Sequence, residues 1–315
     1  MTAVLAWAVG GLLVAALSPL FLGSMMRRGV DPHVVLVLWG ALALGTVVSI
    51  SVPVILSLLP SHGGVSSLIE FAHSCWLALH DDAPARLETA VGVLGGSALV
   101  IGAVRGTVHL FSFSRTRREL HQQHLGLLRI LGGARSSSLL WLPVSVPFAY
   151  SIAGRPALVV ASDGLRDQLD TEALAAVLAH ERAHITGRHH LLVSAAQTLA
   201  YAFPWLPIMR SSPPLVRALV EIEADSRAVR QHGRESVHRA LCSMTPHEVP
   251  VAALGIAQDC LALRLDRLSS HRTHHPAPIR YLRTLAACGT AIVLPAAPLL
   301  ALLGAMAMAS CAAGA

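Results

Sequence analysis

Two histidines four residues apart, with a glutamate beside the first, occur in the run VLAHERAHITGRHHLL at 177–192. On an α-helix that spacing puts His180 and His184 on one face, so both imidazoles can reach one ion, and Glu181 stands where it can take a proton from water. This is the HExxH arrangement of a zinc hydrolase. The chain has 17 histidines in 315 residues, so an accidental match is not negligible and the weight falls on the third ligand.

Two continuations compete for that ligand. Extension through Gly187 to His190 gives HExxHxxGxxH, in which the glycine breaks the helix and a third histidine swings back to the metal. The alternative is distant: EIEAD at 221–225 offers Glu221 as ligand, with Asp225 one turn later to hold the other nitrogen of a ligand histidine. The residues after Gly187 contain no glycine or proline until Pro204 and read as continued apolar helix, which would carry His190 away from the metal. The sequence therefore favours one zinc per chain held by His180, His184 and Glu221. Gly187 is then a tolerated helix residue, and His189 and His190 lie near the site without binding metal. Glu223 points to another face of its helix and reads as a solvated charge.

The elements that must position these residues are signalled locally. The zinc helix has Asp170 or Thr171 as N-cap, Glu172 in its first turn and the run EALAAVLA behind it. The segment around Glu221 reads as helix ending at Gly233. Upstream, the β-branched run ALVVAS at 157–162 predicts a strand, which could either offer an unpaired edge to an extended peptide or be an ordinary hairpin strand.

Composition sets the surroundings. With 54% hydrophobic and 13% charged residues, the chain is too apolar for an ordinary soluble domain. Apolar runs at 3–22, 33–59, 89–110 and 284–308 are each about long enough to cross a bilayer core, which takes roughly 20 helical residues. The first has no basic residue before it and is followed by Arg27 and Arg28, which predicts a retained anchor, not a cleaved signal.

The basic residues also orient the chain. Arg27 and Arg28 place the first loop in the cytoplasm, and the loop at 60–88 sets only Arg86 against Glu70, Asp81, Asp82 and Glu88, so it is external. Arg115, Arg117 and Arg118 return the chain to the cytoplasm, with Arg105 snorkelling from its helix end. The apolar segment at 191–209 cannot be a further span, because it would divide His184 from Glu221. It is expected as a buried or interfacial helix ending at Pro204 and Pro207, with Tyr201 and Trp205 suited to the interface or to the core.

The order of helices, the basic segment after the third, PFAYSIAGRPALVVASDGL, HERAHITGRHHLL, YAFPWLP and EIEAD resembles the BlaR/MecR-type membrane zinc metallopeptidases, and more distantly the HtpX and CAAX-prenyl protease group. The resemblance covers most of the chain. It implies His180, His184 and Glu221 as zinc ligands and Glu181 as catalytic base. Only ASCAAGA follows the fourth apolar run, so the expectation is a short form without a penicillin-sensor domain. HPAPIR at 275–280 is similar to the HPxxxR element of the wider group, and His275 or Arg280 is a candidate for stabilising the oxyanion; the same residues also suit a basic juxtamembrane segment.

The expected fold is a mainly α integral membrane protein of the cell membrane. Three transmembrane helices occupy 1–110, a cytoplasmic α+β zinc-peptidase domain occupies 111–283, and 284–315 form a fourth transmembrane helix and short external tail. The expected activity is zinc-dependent cleavage of a cytoplasmic or membrane-associated protein, such as a transcriptional repressor in a regulatory pathway. The alternatives are a membrane quality-control protease and a non-catalytic zinc-binding signalling scaffold. Intact Glu181 speaks against the scaffold, since zinc binding does not need it. Cys75, Cys242, Cys260, Cys288 and Cys311 lack CxxC spacing, which argues against a thiolate or redox site. The net charge of +6 fits cytoplasmic segments facing anionic lipid, and no aromatic-interleaved basic patch points to nucleic acid.

Overall fold

The computed structural model of the protein describes residues 2–58, 83–130, 139–244 and 254–269. The apolar run at 284–308, the HPAPIR element with His275 and Arg280, most of the loop at 60–88, and Cys75, Cys288 and Cys311 lie outside the described residues.

Among the described residues three helices are long and apolar enough to cross a membrane: α1 (Thr2–Arg27), α2 (Pro32–Leu58) and α3 (Ala83–Ile130). Leu13, Leu17, Leu20 and Phe21 of α1 and Val100, Ile101, Val104 and Val108 of α3 are exposed. Only 11% of the apolar window 92–123 of α3 is buried inside the protein, so its apolar side chains need lipid as their solvent. The helix runs unbroken past Leu110 and through the basic cluster to Ile130. The change from apolar to charged residues therefore marks no break in the backbone, and α3 carries Phe113 and Arg117 directly to the side of His184 and Glu221.

A small sheet follows. Strands β1 (Leu139–Leu142), β2 (Ala149–Ile152) and β3 (Leu158–Ser162) are ordered β1-β3-β2, with β1 parallel and β2 antiparallel to β3. The run ALVVAS does form a strand, but every residue of β3 is buried and both its edges are paired. Of the two readings of that strand, the unpaired edge is excluded, and it is an ordinary strand paired within a small mixed sheet. A largely apolar run suits the centre of a sheet, and the outer edges fall to β1 and β2, whose far sides pair with no strand among the described residues; β2 is the one that reaches the cleft through Ser151.

The remaining helices are α4 (Asp163–Gln168), α5 (Thr171–Thr186), α6 (His189–Ala202), α7 (Pro207–His232), α8 (Arg234–Met244) and α9 (Leu254–Ser269). α5 begins where Asp170 accepts a hydrogen bond from the Ala173 N–H at 2.8 Å. It ends at Gly187, and Arg188 takes the left-handed conformation with φ 50° before α6 starts. Gly187 is therefore a helix cap, contrary to the continuous helix read from the sequence. The apolar pattern resumes at once after the break and hides it.

α6 and α7 pack against each other and against α1–α3. One core joins Leu22 of α1, Val35, Leu38 and Trp39 of α2, Ala196 of α6, and Ile208, Met209, Val216 and Leu219 of α7. Within it Trp39 Nε1 donates to Ser212 Oγ at 2.6 Å. α6 lies against α3, where Arg105 donates from Nε to the Tyr201 carbonyl at 3.0 Å and stands over the Tyr201 ring. Tyr201 and Trp205 are both about half exposed. On α9, Arg267 donates to the carbonyls of Met26 at 2.7 Å and Val30 at 3.3 Å, at the turn between α1 and α2.

Candidate metal centre

α5 and α7 cross side by side and bring three ligating groups together. His180 Nε2 and His184 Nε2 lie 3.1 Å apart, and Glu221 places Oε2 3.4 Å from the first and Oε1 3.6 Å from the second. These atoms are within 4.8 Å of one another. Tetrahedral zinc with ligands at about 2.1 Å requires ligand-to-ligand distances of about 3.4 Å, so the donor set fits that ion. The ring nitrogens facing away from the group are also engaged. His180 Nδ1 sits 2.9 Å from Asp225 Oδ1, and His184 Nδ1 sits 2.9 Å from His189 Nδ1. Each partner can hold the ring proton on Nδ1 and leave Nε2 as the free lone pair.

Asp225 is itself gripped. Arg264 of α9 donates from Nε to Oδ2 at 2.7 Å and from Nη2 to Oδ1 at 2.8 Å, and its Nη1 lies 3.2 Å from Glu221 Oε2. This forked pairing aligns both carboxylates toward the histidines. The sequence gives no warning of Arg264: it stands in LALRLDRLS, which carries no ligand motif, and reaches its partner only through the fold. Glu223 also differs from expectation. It is buried, bonded at 3.0 Å to Arg227, which donates at 3.2 Å to Thr186 Oγ1 at the end of α5. The one-turn pair on α7 hides the carboxylate and ties the two site-bearing helices.

Electrostatics follow from this packing. Burial alone would lower the pKa of His180, but the Asp225 and Glu221 carboxylates override it and hold it up at about 9. Burial lowers His184 to about 4 and His189 to about 3. For Glu221 and Asp225 burial opposes ionisation, yet the bonds from His180 and the charge of Arg264 bring both down to about 2. Burial raises Glu181, against the His180 charge and a hydrogen bond from Ser151 of β2. A carboxyl pushed upward beside a metal-type donor set is suited to accept a proton near neutral pH.

A cleft of about 380 Å³ opens onto the group, lined on one side by Ser151 and Ala153 and on the other by His184, His189, His190 and Glu221. His190 thus borders the cleft but is not among the three clustered ligands. Cys242 and Cys260 are free thiols.

No curated protein and no solved structure shows a significant match to the chain. Glu221, Asp225 and Arg264 lie outside residues 142–212, the stretch that matches a known family, so their place at the site rests on their geometry and not on that match. That stretch, residues 142–212, runs from the end of β1 through the histidine-bearing helix into α7 and matches Peptidase family M48, which supports the membrane zinc metallopeptidase family broadly.

Proposed function

We propose that the protein is a membrane-anchored zinc endopeptidase of the BlaR/MecR type, cleaving a cytoplasmic or membrane-associated protein such as a transcriptional repressor. The observation that carries this reading is the triangle of His180, His184 and Glu221 donor atoms at 3.1 to 3.6 Å, with Glu181 next to it on the same helix. In this reading His180, His184 and Glu221 hold one zinc and Asp225 orients His180 through Nδ1. Zinc bound there polarises a peptide carbonyl and makes water more acidic. Glu181 accepts the proton of the attacking water and passes it to the leaving amine, so the carboxyl group ends each turnover as it began. Ser151, which lines the cleft, hydrogen-bonds Glu181 and so fixes that carboxyl group beside the donor set. The outer edge of β2 is the place where an extended substrate adds as a further strand, because it borders the cleft and pairs with no other strand among the described residues. His275 and Arg280 remain the proposed oxyanion partners. Orientation follows from Arg27, Arg28, Arg115, Arg117 and Arg118, which put the metal site on the cytoplasmic side of the cell membrane.

The experiment that separates an enzyme from a zinc-binding scaffold is Glu181→Gln. The amide is nearly isosteric and is not a ligand, so zinc content measured on purified protein stays near one per chain. It cannot take a proton, so cleavage falls by about two to four orders of magnitude. Full complementation of a deletion strain by this variant overturns the proteolytic reading.

A further inference from the structure

The cleft beside Glu221 and His184 has a basic wall that hydrolysis itself leaves unused. Arg117 enters it from α3, Arg217 from α7 and His190 from α6, with Phe113 and Val193 adding apolar surface. Arg217 precedes Glu221 by four residues, one turn away on the same side of α7. Arg117 lies with its guanidinium carbon 5.7 Å from the Phe113 ring centroid. Five arginines elsewhere pair with carboxylates: Arg115 with Glu119, Arg166 with Asp163, Arg227 with Glu223, Arg239 with Asp170, and Arg264 with Asp225; what sets Arg117 and Arg217 apart is that they line the cleft. The two that face the cleft have no carboxylate within ion-pair distance among the described residues. His190 also lines the cleft, and its pKa is lowered, first by burial and then by the charges of Arg117 and Arg188. Glu221 cannot neutralise this wall, since its oxygens are engaged by His180, His184 and Arg264.

Unmatched guanidinium groups facing a substrate channel favour an anion there. We infer that Arg117 and Arg217 form a subsite for a carboxylate of the substrate, either an aspartate or glutamate side chain or the chain terminus, within a few residues of the cleaved bond. The inference rests on the endopeptidase reading. A planar guanidinium pairs with a carboxylate through two parallel hydrogen bonds, which an amide or an ammonium group cannot reproduce. The pair stands on the wall shared with Glu221, so a carboxylate held there draws the scissile carbonyl toward the ligand triangle. Phe113 and Val193 leave room for an apolar residue next to the acidic one.

The test uses the full chain loaded with zinc, in detergent and in vesicles of neutral or anionic lipid, digesting a library of proteome-derived peptides with free or amidated C-termini. Glu181→Gln protein serves as the blank. The expected result is enrichment of Asp or Glu over Asn or Gln at one position by about tenfold, the size of one charged hydrogen bond, and loss of that enrichment in the Arg117→Ala, Arg217→Ala double variant. Arg217→Lys keeps part of the preference, and Arg217→Glu turns it toward basic peptides. Zinc content of each variant reports folding separately. Loss of the preference on amidation assigns the carboxylate to the chain terminus, and persistence assigns it to a side chain. An equal fall in cleavage of acidic, neutral and basic peptides overturns the subsite. So does a fall seen only in anionic vesicles, which gives the arginines to lipid phosphate. If wild-type protein cleaves nothing beyond the Glu181→Gln blank, the endopeptidase reading fails first and the subsite with it.

Discussion

At the scale of single residues, the site depends on carboxylates whose charges are held by neighbours. Replacing Glu221 with alanine removes one corner of the triangle, and metal analysis of purified protein is expected to show zinc lost, whereas His190→Ala keeps it. Zinc retained by Glu221→Ala and lost by His190→Ala would restore the histidine reading of the third ligand. The His180–Asp225 pair also predicts a pH profile for the zinc-free protein. Asp225 is depressed from 3.8 to about 2, so its contribution is present above the unfolded value and lost as pH falls through 2. His180 is raised from 6.5 to about 9, so its contribution is complete below 6.5 and lost as pH rises through 9. These are two views of one interaction, worth on the order of 2 kcal/mol. His184 and His189, depressed by burial from 6.5 to about 4 and about 3, act against the folded chain below pH 6.5, where only the unfolded chain takes up their protons. Thermal unfolding in a chelator is therefore expected to give highest stability at about pH 6.5, with the alkaline decline abolished by zinc, since ligation keeps His180 neutral. A flat profile in chelator would remove the pair from the account of stability.

At the scale of elements, the break between α5 and α6 fixes the geometry of His184. A Cβ on Gly187 would collide with the His189 imidazole and approach the Ala183 carbonyl at 2.9 Å. Gly187→Ala is therefore expected to displace His189 from His184 and weaken zinc binding by about tenfold or more in a chelator competition. Arg188→Gly relaxes a left-handed residue, and thermal unfolding should show a gain of at most about 1 kcal/mol. Both variants equal to wild type would mean that the break is dispensable. This is also where sequence reading stops. Periodicity and the Asp170 cap announce the zinc helix, and EIEAD announces Glu221 and Asp225, because those signals are local. The break at Arg188 is carried by one residue type that nothing in the sequence marks as left-handed. Arg264 reaches its partner across 39 residues of chain, and Glu223 is buried by the crossing of α5 and α7, so neither is written in any window. The outer edges belong to β1 and β2 and not to β3 because pairing order is a property of the sheet.

For the whole molecule, the metal site and the apolar helices form one body, joined by the core that Leu22, Trp39, Ile208 and Leu219 share. A bilayer cannot pass between α5 and α7, so reporter fusions after Arg118 and after Gly233 are expected to indicate the same side, the cytoplasm. An external signal from the second fusion alone would end this topology. α9 carries the connection further. Its Arg264 holds Asp225 and Glu221, while Arg267, one turn on, holds the carbonyls at the α1–α2 turn. Three residues of helix span about 4.5 Å, too short to flex independently. A tilt of the hairpin must either break the bonds at Met26 and Val30 or drag the Arg264 fork across its carboxylates. The position of the hairpin and the alignment of the metal ligands are in this way tied twice, through α9 and through the core that α7 shares with α1 and α2.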